Sequence, residues 1–333
     1  MRDHPEITLE RPGAAASSVL VTGSSGYIGR QLIARLAGDR RRVRAIVAMD
    51  VRTVAEADRL AGVEYCTADV RDPGVEEILR RYEIGTVVHL AAIVTPGGDD
   101  SADFEYSVDV LGTRNVIEAC VNSGVAKLIV TSSGAAYGYH GDNPEWISET
   151  DALRGNDTFP YARHKRLVEE MLARCREEHP DLGVLVFRPG TVLGESVSNQ
   201  ISAIFERPVI LGVRGSSSPF VFIWDQDVVA CLLEGIHGDH TGVYNLAGDG
   251  VLTLAEIAKR TGKPYWALPA GLIALALRVL HRLHLSPYGP EQIDFLRYRP
   301  VLANERLKRE FGYTPELSSA EVFDLYWQSR GAG

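Results

Sequence analysis

Tyr161 and Lys165 are the residues whose types and spacing point most directly to chemistry. They stand four residues apart, which puts a phenol and an ammonium on the same face of a helix. A cation beside a phenol stabilises the tyrosinate, so Tyr161 could give a proton to a carbonyl oxygen or take one from an alcohol. The hydroxyl of Ser133, at the end of the strand before this helix, could hold the same oxygen. Because Tyr-x-x-x-Lys alone is a common coincidence, its weight depends on the motifs that come before it.

A glycine-rich turn at 22–29 (Thr-Gly-Ser-Ser-Gly-Tyr-Ile-Gly) is the first of those motifs. A β-branched run leads into it, and the helix after it carries Ile28, Leu32 and Leu36 on one face. Glycines at this spacing allow a tight turn, let a pyrophosphate approach the main chain, and let the helix N-terminus point at the phosphates. The spacing differs from the commoner Gly-x-Gly-x-x-Gly, so its position between a strand and a helix is what indicates a dinucleotide site.

Short strands alternate with helical patterns through the first two thirds of the chain. The predicted strands are 19–22, 43–49, 63–68, 86–90, 127–131, 183–187 and 243–246. This alternation predicts an α/β fold with a doubly wound, Rossmann-like parallel sheet, followed by a smaller C-terminal α+β lobe. Ligands bind beyond the carboxyl ends of such strands. Asp50 ends the second strand, where an acidic residue would hold the adenosine ribose hydroxyls, although a turn cap is the alternative role.

The domain organisation follows from the same pattern. Residues 1–17 are predicted to be a flexible leader, 18–188 a dinucleotide-binding domain with the catalytic residues, and 189–333 mainly a substrate-binding lobe. Further helices are predicted at 104–121, 161–178, 270–283 and 320–328, with one more opened by a capping box at Thr253.

Composition narrows the possible functions. The chain has 333 residues, and its 45% of hydrophobic residues is typical of a soluble globular protein. Its net charge of -9 argues against a nucleic-acid surface. The first 18 residues are polar, so no signal peptide is predicted, and the apolar stretch 267–280 is too short to span a bilayer. No metal site is predicted, because the histidine pairs lack acidic or thiol partners in a fixed register. Four scattered cysteines indicate buried reduced thiols and a cytoplasmic location: Cys66, Cys120, Cys175 and Cys231.

In this order the motifs resemble the extended short-chain dehydrogenase/reductase family, which contains the NAD-dependent epimerases and dehydratases. The resemblance runs from about Val19 to about Tyr326. It implies a homodimer and a catalytic set of Ser133, Tyr161 and Lys165, with Lys165 also holding the nicotinamide ribose. Alignment on the Tyr-Gly that follows favours Ser133 over Ser132. The cofactor-binding residues that the resemblance implies are Gly23, Ser25, Gly26, Tyr27, Ile28, Gly29, Asp50, Asp69, Val70, Leu90, Ala91, Ala92, Tyr161, Lys165 and Pro189.

Departures from the family pattern bear on the reaction. Dehydratases of the family carry an Asp-Glu pair just after the serine, and residues 134–136 here are Gly-Ala-Ala, so dehydration is not expected. Members that bind nucleoside diphosphate sugars have an arginine where Phe220 stands, an aspartate at Val221 and an asparagine at Thr191. Asp109 likewise replaces an asparagine of the family, without an explanation from the sequence.

The substrate is therefore expected to be a small molecule without a nucleoside diphosphate, possibly apolar or aromatic. Arg207 and Arg214 are the cations that could still serve a phosphate. The aromatic and apolar side chains of the lobe suit a flat substrate, although most are expected to form a packed core. These residues are Phe205, Phe220, Phe222, Trp224, Trp266, Leu272, Leu275 and Leu277.

We expect an NAD(P)-dependent oxidoreductase that interconverts a secondary alcohol and a ketone by hydride transfer. One alternative is a nucleotide-sugar 4-epimerase with tightly bound NAD, and another is a non-catalytic NAD-binding protein. Asp50 would repel a 2′-phosphate and so favours NAD, but Arg30 and Arg52 are near enough in sequence to compensate and leave NADP open. A membrane-surface contact at 272–283 is a lesser alternative for that apolar stretch, because the sequence shows no basic face to support it.

Overall fold

The computed structural model describes residues 17–94, 101–283, 289 and 292–331. The predicted leader lies outside the described residues apart from Ser17. The strands within the described part are β1 (Ser17–Thr22), β2 (Val43–Asp50), β3 (Val63–Thr67), β4 (Ile84–His89), β5 (Lys127–Thr131), β6 (Gly183–Pro189), β7 (Thr191–Leu193), β8 (Ile210–Val213), β9 (Pro219–Phe220), β10 (Phe222–Trp224), β11 (Gly242–Leu246), β12 (Leu252–Thr253) and β13 (Tyr265–Leu268). Each predicted strand is present, with its ends shifted by at most two residues.

Helices connect and flank these strands. They are α1 (Tyr27–Gly38), α2 (Val75–Arg81), α3 (Ser101–Tyr106), α4 (Thr113–Asn122), α5 (Pro160–Glu178), α6 (Gln200–Glu206), α7 (Asp225–His237), α8 (Leu254–Thr261), α9 (Ala270–Arg282), α10 (Gln292–Arg297) and α11 (Ser319–Gly331). The π-helical segment Ser107–Gly112 joins α3 to α4, so the single helix predicted at 104–121 is interrupted at its centre. A second π-helical segment is Leu307–Phe311, and two 3₁₀ turns lie at Glu56–Asp58 and Gly134–Tyr137. The predicted capping box at Thr253 is confirmed at the start of α8.

Seven parallel strands form the central sheet, in the order β11-β6-β5-β4-β1-β2-β3. Helices α2, α4 and α5 pack on one face, and α1 and α7 pack on the other. Because both faces are covered, the strands are near-continuous apolar runs, as in other buried parallel sheets. The predicted doubly wound α/β fold is confirmed. Strand order reverses between β1 and β4, and ligands bind to such sheets in the crevice that opens at this point.

Three two-stranded sheets and a separate core follow in the C-terminal part. They pair β7 with β10, β9 with β12, and β8 with β13. Phe205, Phe220 and Phe222 are fully buried in this core, as expected. Trp266 and the leucines at 272 and 275 are exposed and so are not among the lobe residues that form the core. Strand β11 returns to the main sheet from beyond residue 188, and the domain limits stay a prediction.

Two further sequence expectations can be compared with the structure. Cys120, Cys175 and Cys231 are buried, as predicted, and Cys66 is half-buried. Among the described helices, none is long and apolar enough to cross a membrane.

Candidate functional site

The glycines of the turn after β1 stand where a side chain would not fit. Gly23 has a φ of +66°, and a Cβ built on it would lie 2.6 Å from the backbone nitrogen of Ala91. A Cβ on Gly29 would lie 2.3 Å from the carbonyl oxygen of Gly23. Gly26 is the N-cap of α1 and offers no side chain to the first N–H groups of the helix. The turn therefore presents main-chain donors at a helix N-terminus, the arrangement that binds a pyrophosphate.

Asp50 lies at the carboxyl end of β2, beside this turn. The residue is buried, and its Oδ2 accepts a hydrogen bond from the Ser25 N–H at 3.0 Å. Its Oδ1 accepts from the backbone N–H of Arg52 at 3.0 Å and from Arg52 Nε at 3.2 Å. Burial opposes ionisation, but these hydrogen bonds outweigh it and lower the pKa of the Asp50 carboxyl. Asp50 thus acts as a turn cap, and the predicted ribose contact would use the lone pairs that remain.

The other predicted cofactor residues follow the neighbouring strand ends. Asp69, after β3, pairs with Arg71 through Oδ2 and Nη2 at 2.6 Å, which lowers the pKa of its carboxyl. Val70 is buried, and its side chain packs against Gly112. A Cβ built on Gly112 would lie 2.7 Å from Val70 Cγ2. Pro189 is the last residue of β6 and lies opposite Leu246 of β11.

The first residues of α1 divide their roles. The Tyr27 hydroxyl donates to Asp225 Oδ2 at 2.6 Å, which ties the start of α1 to the start of α7. Burial and this carboxylate raise the pKa of Tyr27 to about 12. Only the main chain of Tyr27 and Ile28 is then left for a cofactor.

His89 holds the end of β4 through a buried chain of hydrogen bonds. Its Nδ1 lies 2.7 Å from Thr22 Oγ1, and its Nε2 lies 3.0 Å from Thr113 Oγ1. Because Thr113 donates its own proton to the Asp109 carbonyl at 2.5 Å, Nε2 must be the donor, and Nδ1 accepts from Thr22. Burial and the charge of Lys165 lower the pKa of His89 to about 4, so the ring is neutral. These hydrogen bonds fix the position of the predicted cofactor segment Leu90-Ala91-Ala92. The N–H of Ala91 donates to Thr22 Oγ1 at 3.4 Å.

Asp109 connects that segment to helix α5. Its Oδ1 accepts a hydrogen bond from the Ile93 N–H at 2.8 Å, and its Oδ2 lies 3.4 Å from His164 Nδ1. Both side chains are almost fully buried. The π-helical segment carries Asp109, and such segments often occur at functional sites. Asp109 Oδ2 and His164 Nδ1 are both buried and make no hydrogen bond among the described residues, so nothing in the structure explains the replacement of the family's asparagine.

The two serines after β5 have different environments. Ser132 is buried, and its hydroxyl donates to Glu169 Oε1 at 2.6 Å. Ser133 is half-buried, and its hydroxyl accepts from the Ala135 N–H at 3.2 Å, which caps the turn Gly134–Tyr137. Ser133 thus keeps a proton to donate, and the choice of Ser133 over Ser132 remains the better prediction.

Tyr161 and Lys165 occupy the first turns of α5. The ammonium Nζ lies 5.5 Å from the centre of the Tyr161 ring and donates to the Thr131 carbonyl at 3.5 Å. Lys165 is buried, and among the described residues no carboxylate lies within ion-pair distance of it. Tyr161 packs in a cluster with Ala135 and Tyr139, next to the turn that Ser133 caps. The structure thus brings the three predicted catalytic residues to the carboxyl ends of β5 and its neighbours.

Sequence reasoning missed a buried polar network beneath this cluster. Arg188 Nε donates to Glu169 Oε1 at 2.9 Å, and its Nη1 donates to the Tyr137 hydroxyl at 2.6 Å. Tyr137 donates in turn to Asn245 Oδ1 at 2.9 Å, so the network joins α5, β6 and β11. Glu169 stands four residues after Lys165 on the same face of α5. A carboxylate on that inward face was the sequence feature that could have predicted a buried polar network.

Arg299 is the second residue that sequence reasoning missed. Its Cζ lies 4.1 Å from the centre of the Phe220 ring and 4.4 Å from that of Phe295. Its Nη2 donates to Thr191 Oγ1 at 3.1 Å, and its Nη1 is buried without a hydrogen-bond partner among the described residues. Burial lowers the pKa of Arg299 to about 10, so the guanidinium stays charged at neutral pH.

The position of Arg299 relates to two departures from the family pattern. Phe220 and Thr191 are the residues that replace the family's arginine and asparagine, and Arg299 contacts both of them. Phe295, on the other side of the guanidinium, packs in the same cluster as Tyr161. By contrast Arg207 and Arg214, the cations that the sequence suggested for a phosphate, are exposed.

The family model of the NAD dependent epimerase/dehydratase family matches residues 19–247. The chain belongs to this family. Membership confirms the predicted family, the enzyme class and NAD as the cofactor, and it disfavours the non-catalytic alternative. The glycine turn and Asp50 fit such a cofactor, because the glycines let the turn pack tightly and present main-chain N–H groups at the N-terminus of α1.

Similar proteins point the same way. An uncharacterized protein of Mycobacterium tuberculosis is 26% identical over 318 residues, covering 94% of this chain and 84% of that protein. The UDP-glucose 4-epimerase of Mycolicibacterium smegmatis is 29% identical over 325 residues, covering 91% of this chain and 95% of the epimerase. The structure of the Thermotoga maritima UDP-glucose 4-epimerase with UDP-glucose is similar with a TM-score of 0.72 at 18% identity, covering 95% and 99% of the two chains.

Proposed function

We propose that this protein is an NAD-dependent 4-epimerase of a nucleotide sugar. The observation that carries the proposal is Arg299, a guanidinium with a buried and unpartnered Nη1 that contacts Thr191 and Phe220. Arg299, from another segment, would thereby take the place of the arginine that other family members carry where this chain has Phe220. A diphosphate would give this guanidinium the charge-assisted hydrogen bonds that it lacks among the described residues. The similarity to UDP-glucose 4-epimerases supports the same substrate class.

The residues around the glycine turn would hold the cofactor. The main chain at 23–29 would receive the pyrophosphate, Asp50 the adenosine ribose, and Lys165 the nicotinamide ribose. When bound, NAD supplies the acceptor and the donor of the hydride. Asp50 favours NAD over NADP because its carboxylate would repel a 2′-phosphate. Arg52 offsets this preference only in part, because its guanidinium pairs with Asp50 itself.

Proton transfer in this proposal depends on Tyr161. The Tyr161 oxygen would take the proton of the sugar 4-hydroxyl as the C4 hydrogen leaves as hydride, and it would return the proton when the ketone is reduced from the other face. Lys165 would assist this exchange from the next turn of the same helix, where its Nζ lies 5.5 Å from the centre of the Tyr161 ring. The Ser133 hydroxyl would hold the same oxygen in both positions of the sugar.

Dehydration has no support from the residues after Ser133. The turn Gly134–Tyr137 is buried and carries no carboxylate. A Cβ on Gly134 would lie 3.0 Å from the side chain of Leu302, so even a small side chain would crowd that position. An acid and a base for the loss of water would have to come from elsewhere.

An alcohol and ketone oxidoreductase remains the second candidate function. The specific observation in its favour is the aromatic cluster beside Tyr161, in which Phe159 and Phe295 stack at 5.7 Å and Tyr139 lies edge-on to both. Such a surface suits a flat or apolar substrate. The homodimer and the cytoplasmic location also stay predictions.

Turnover without added cofactor separates the two candidates. Purified protein is incubated with UDP-glucose or UDP-galactose, products are resolved by chromatography, and NAD released on denaturation is measured. We expect interconversion of the two sugars at a rate that added NAD raises by less than twofold. If no UDP-hexose reacts while NADH is consumed with a ketone, the oxidoreductase function is correct and the epimerase proposal fails. Tyr161→Phe, tested alongside, excludes a contaminating epimerase.

A further inference from the structure

Helix α9 exposes an apolar stripe. Leu272, Leu275, Val279 and Leu283 follow each other at helical spacing and are 54%, 56%, 48% and 60% exposed. No residue of this helix is buried. Soluble proteins seldom leave a contiguous apolar surface of this kind uncovered unless it binds something.

The strand pair that precedes α9 in the fold also exposes two apolar side chains. Trp266 of β13 lies opposite Leu211 of β8, and these residues are 58% and 42% exposed. Tryptophan is enriched where one part of a side chain meets hydrocarbon and another part meets polar headgroups. The helix and the strand pair together form the surface that we call the α9 face: Leu211, Trp266, Leu272, Leu275, Val279 and Leu283.

Two cations lie on α9 itself. Arg278 and Arg282 are exposed, four residues apart, in a row that runs beside the apolar stripe. The helix carries no acidic residue, although the chain as a whole has a net charge of -9. The apolar stripe is therefore bordered on one side by positive charge.

We propose that α9 docks in the plane of a membrane surface that contains anionic lipids. An apolar stripe of about 20 Å, the length of a 13-residue helix, can lie in the interface but cannot cross the bilayer. Arg278 and Arg282 would reach anionic headgroups while their aliphatic stems cover the edge of the stripe.

Vesicle binding by the full chain tests the proposal. We expect co-sedimentation with phosphatidylcholine vesicles that contain phosphatidylglycerol, little binding to phosphatidylcholine alone, and weaker binding at high salt. Leu275→Glu with Val279→Glu should lower the bound fraction by about tenfold or more. Arg278→Glu with Arg282→Glu should remove the preference for the anionic vesicles.

The matched control for Leu275→Glu alone is Leu325→Glu, which also adds one carboxylate, at a leucine that is 40% exposed on α11, outside the α9 face. It should bind vesicles as the unmodified chain does. Circular dichroism shows whether each variant folds, and Leu272→Ser is the milder substitute where the double variant does not. The proposal is wrong if the chain binds neither vesicle type, or if the α9 variants bind as well as the control. It is also wrong if sedimentation equilibrium shows a dimer that depends on α9 and does not bind vesicles.

Discussion

The two sides of the predicted cleft are assembled differently. On the cofactor side, the glycine turn, Asp50 and the segment after β4 contact each other through main-chain atoms and buried hydrogen bonds at neighbouring strand ends. On the substrate side, Arg299 reaches Thr191 across 108 residues of sequence and lies between Phe220 and Phe295. On the cofactor side, the glycine positions leave no space for a larger residue. The second side depends on which side chains happen to meet, so substrate preference can change there while the cofactor site stays the same.

The largest effect should come from the residue proposed to act on both cofactor and substrate sides. Tyr161→Phe removes the proton carrier and should lower kcat by about 10²–10⁴-fold while NAD binding and the unfolding midpoint stay unchanged. Steady-state kinetics and calorimetric NAD titration measure the two properties. Tyr65→Phe on β3, whose hydroxyl accepts a hydrogen bond from the Leu60 N–H, is the control. A Tyr161→Phe variant with near-normal kcat would rule out the proposed role.

Acidification should act on the cofactor side through His89. Its pKa is lowered to about 4 in the folded chain, mainly by burial, whereas an unfolded chain would titrate near about 6.5. As the pH falls through this window the unfolded state binds a proton that the folded state does not, so about 3 kcal/mol of stability is lost. Above about pH 6.5 the imidazole is neutral in both the folded and the unfolded state, so it contributes no pH dependence to the stability.

Urea unfolding across the same pH range measures this loss, with His89→Asn as the comparison. The variant should be less stable at neutral pH but should show a shallower loss on acidification. Parallel pH profiles for the two proteins would contradict the buried, neutral assignment of His89.

On the substrate side, Arg299→Met should raise KM for a UDP-hexose by about 10- to 100-fold, because a hydrogen bond to a charged group contributes about 1.5–3 kcal/mol. NAD affinity should not change, which distinguishes this side of the cleft from the glycine turn. Arg214→Met removes an exposed arginine of the same part of the chain and should leave KM as it is. An unchanged KM for Arg299→Met would remove the main support for a diphosphate substrate.

The absence of space at the glycine turn predicts opposite results for two alanines on the same helix. Gly29→Ala places a Cβ 2.3 Å from the Gly23 carbonyl oxygen and should cost about 1–3 kcal/mol together with most of the NAD affinity. Gly38→Ala meets nothing within 4 Å and should stabilise the chain by about 0.5–1 kcal/mol. Chemical unfolding and NAD titration measure both. Equal effects of the two substitutions would mean that the turn is more adaptable than its geometry indicates.

The smallest effect is expected at the contact between the two sides. Asp109→Asn keeps an acceptor for the Ile93 N–H and changes only the atom that lies 3.4 Å from His164 Nδ1, so it should change the stability by less than about 1 kcal/mol. Adding His164→Asn should cost less in this background than in the unmodified chain, because the pair is already lost. Additive costs in this double-mutant cycle would show that the two side chains do not interact.

Much of the fold could be predicted because its signals are local. A strand covered on both faces is a short apolar run, and a helix start such as Thr253 carries its capping box within four residues. The interruption of the helix at Ser107–Gly112 could not be predicted in this way, since it depends on Asp109 meeting Ile93 and His164 from other elements. The exposure of the leucines of α9 could not be predicted for a related reason, because an apolar pattern does not tell whether anything covers it.

The amino-acid order was enough to establish the cofactor half of this protein. Its requirements concern backbone conformation and the residue types at strand ends, and both are written in consecutive residues such as the turn at 22–29. The substrate half could be read only from the folded chain. Whether Phe220 leaves the site without a cation depends on a guanidinium 79 positions further along the chain, and packing alone brings that group to the ring.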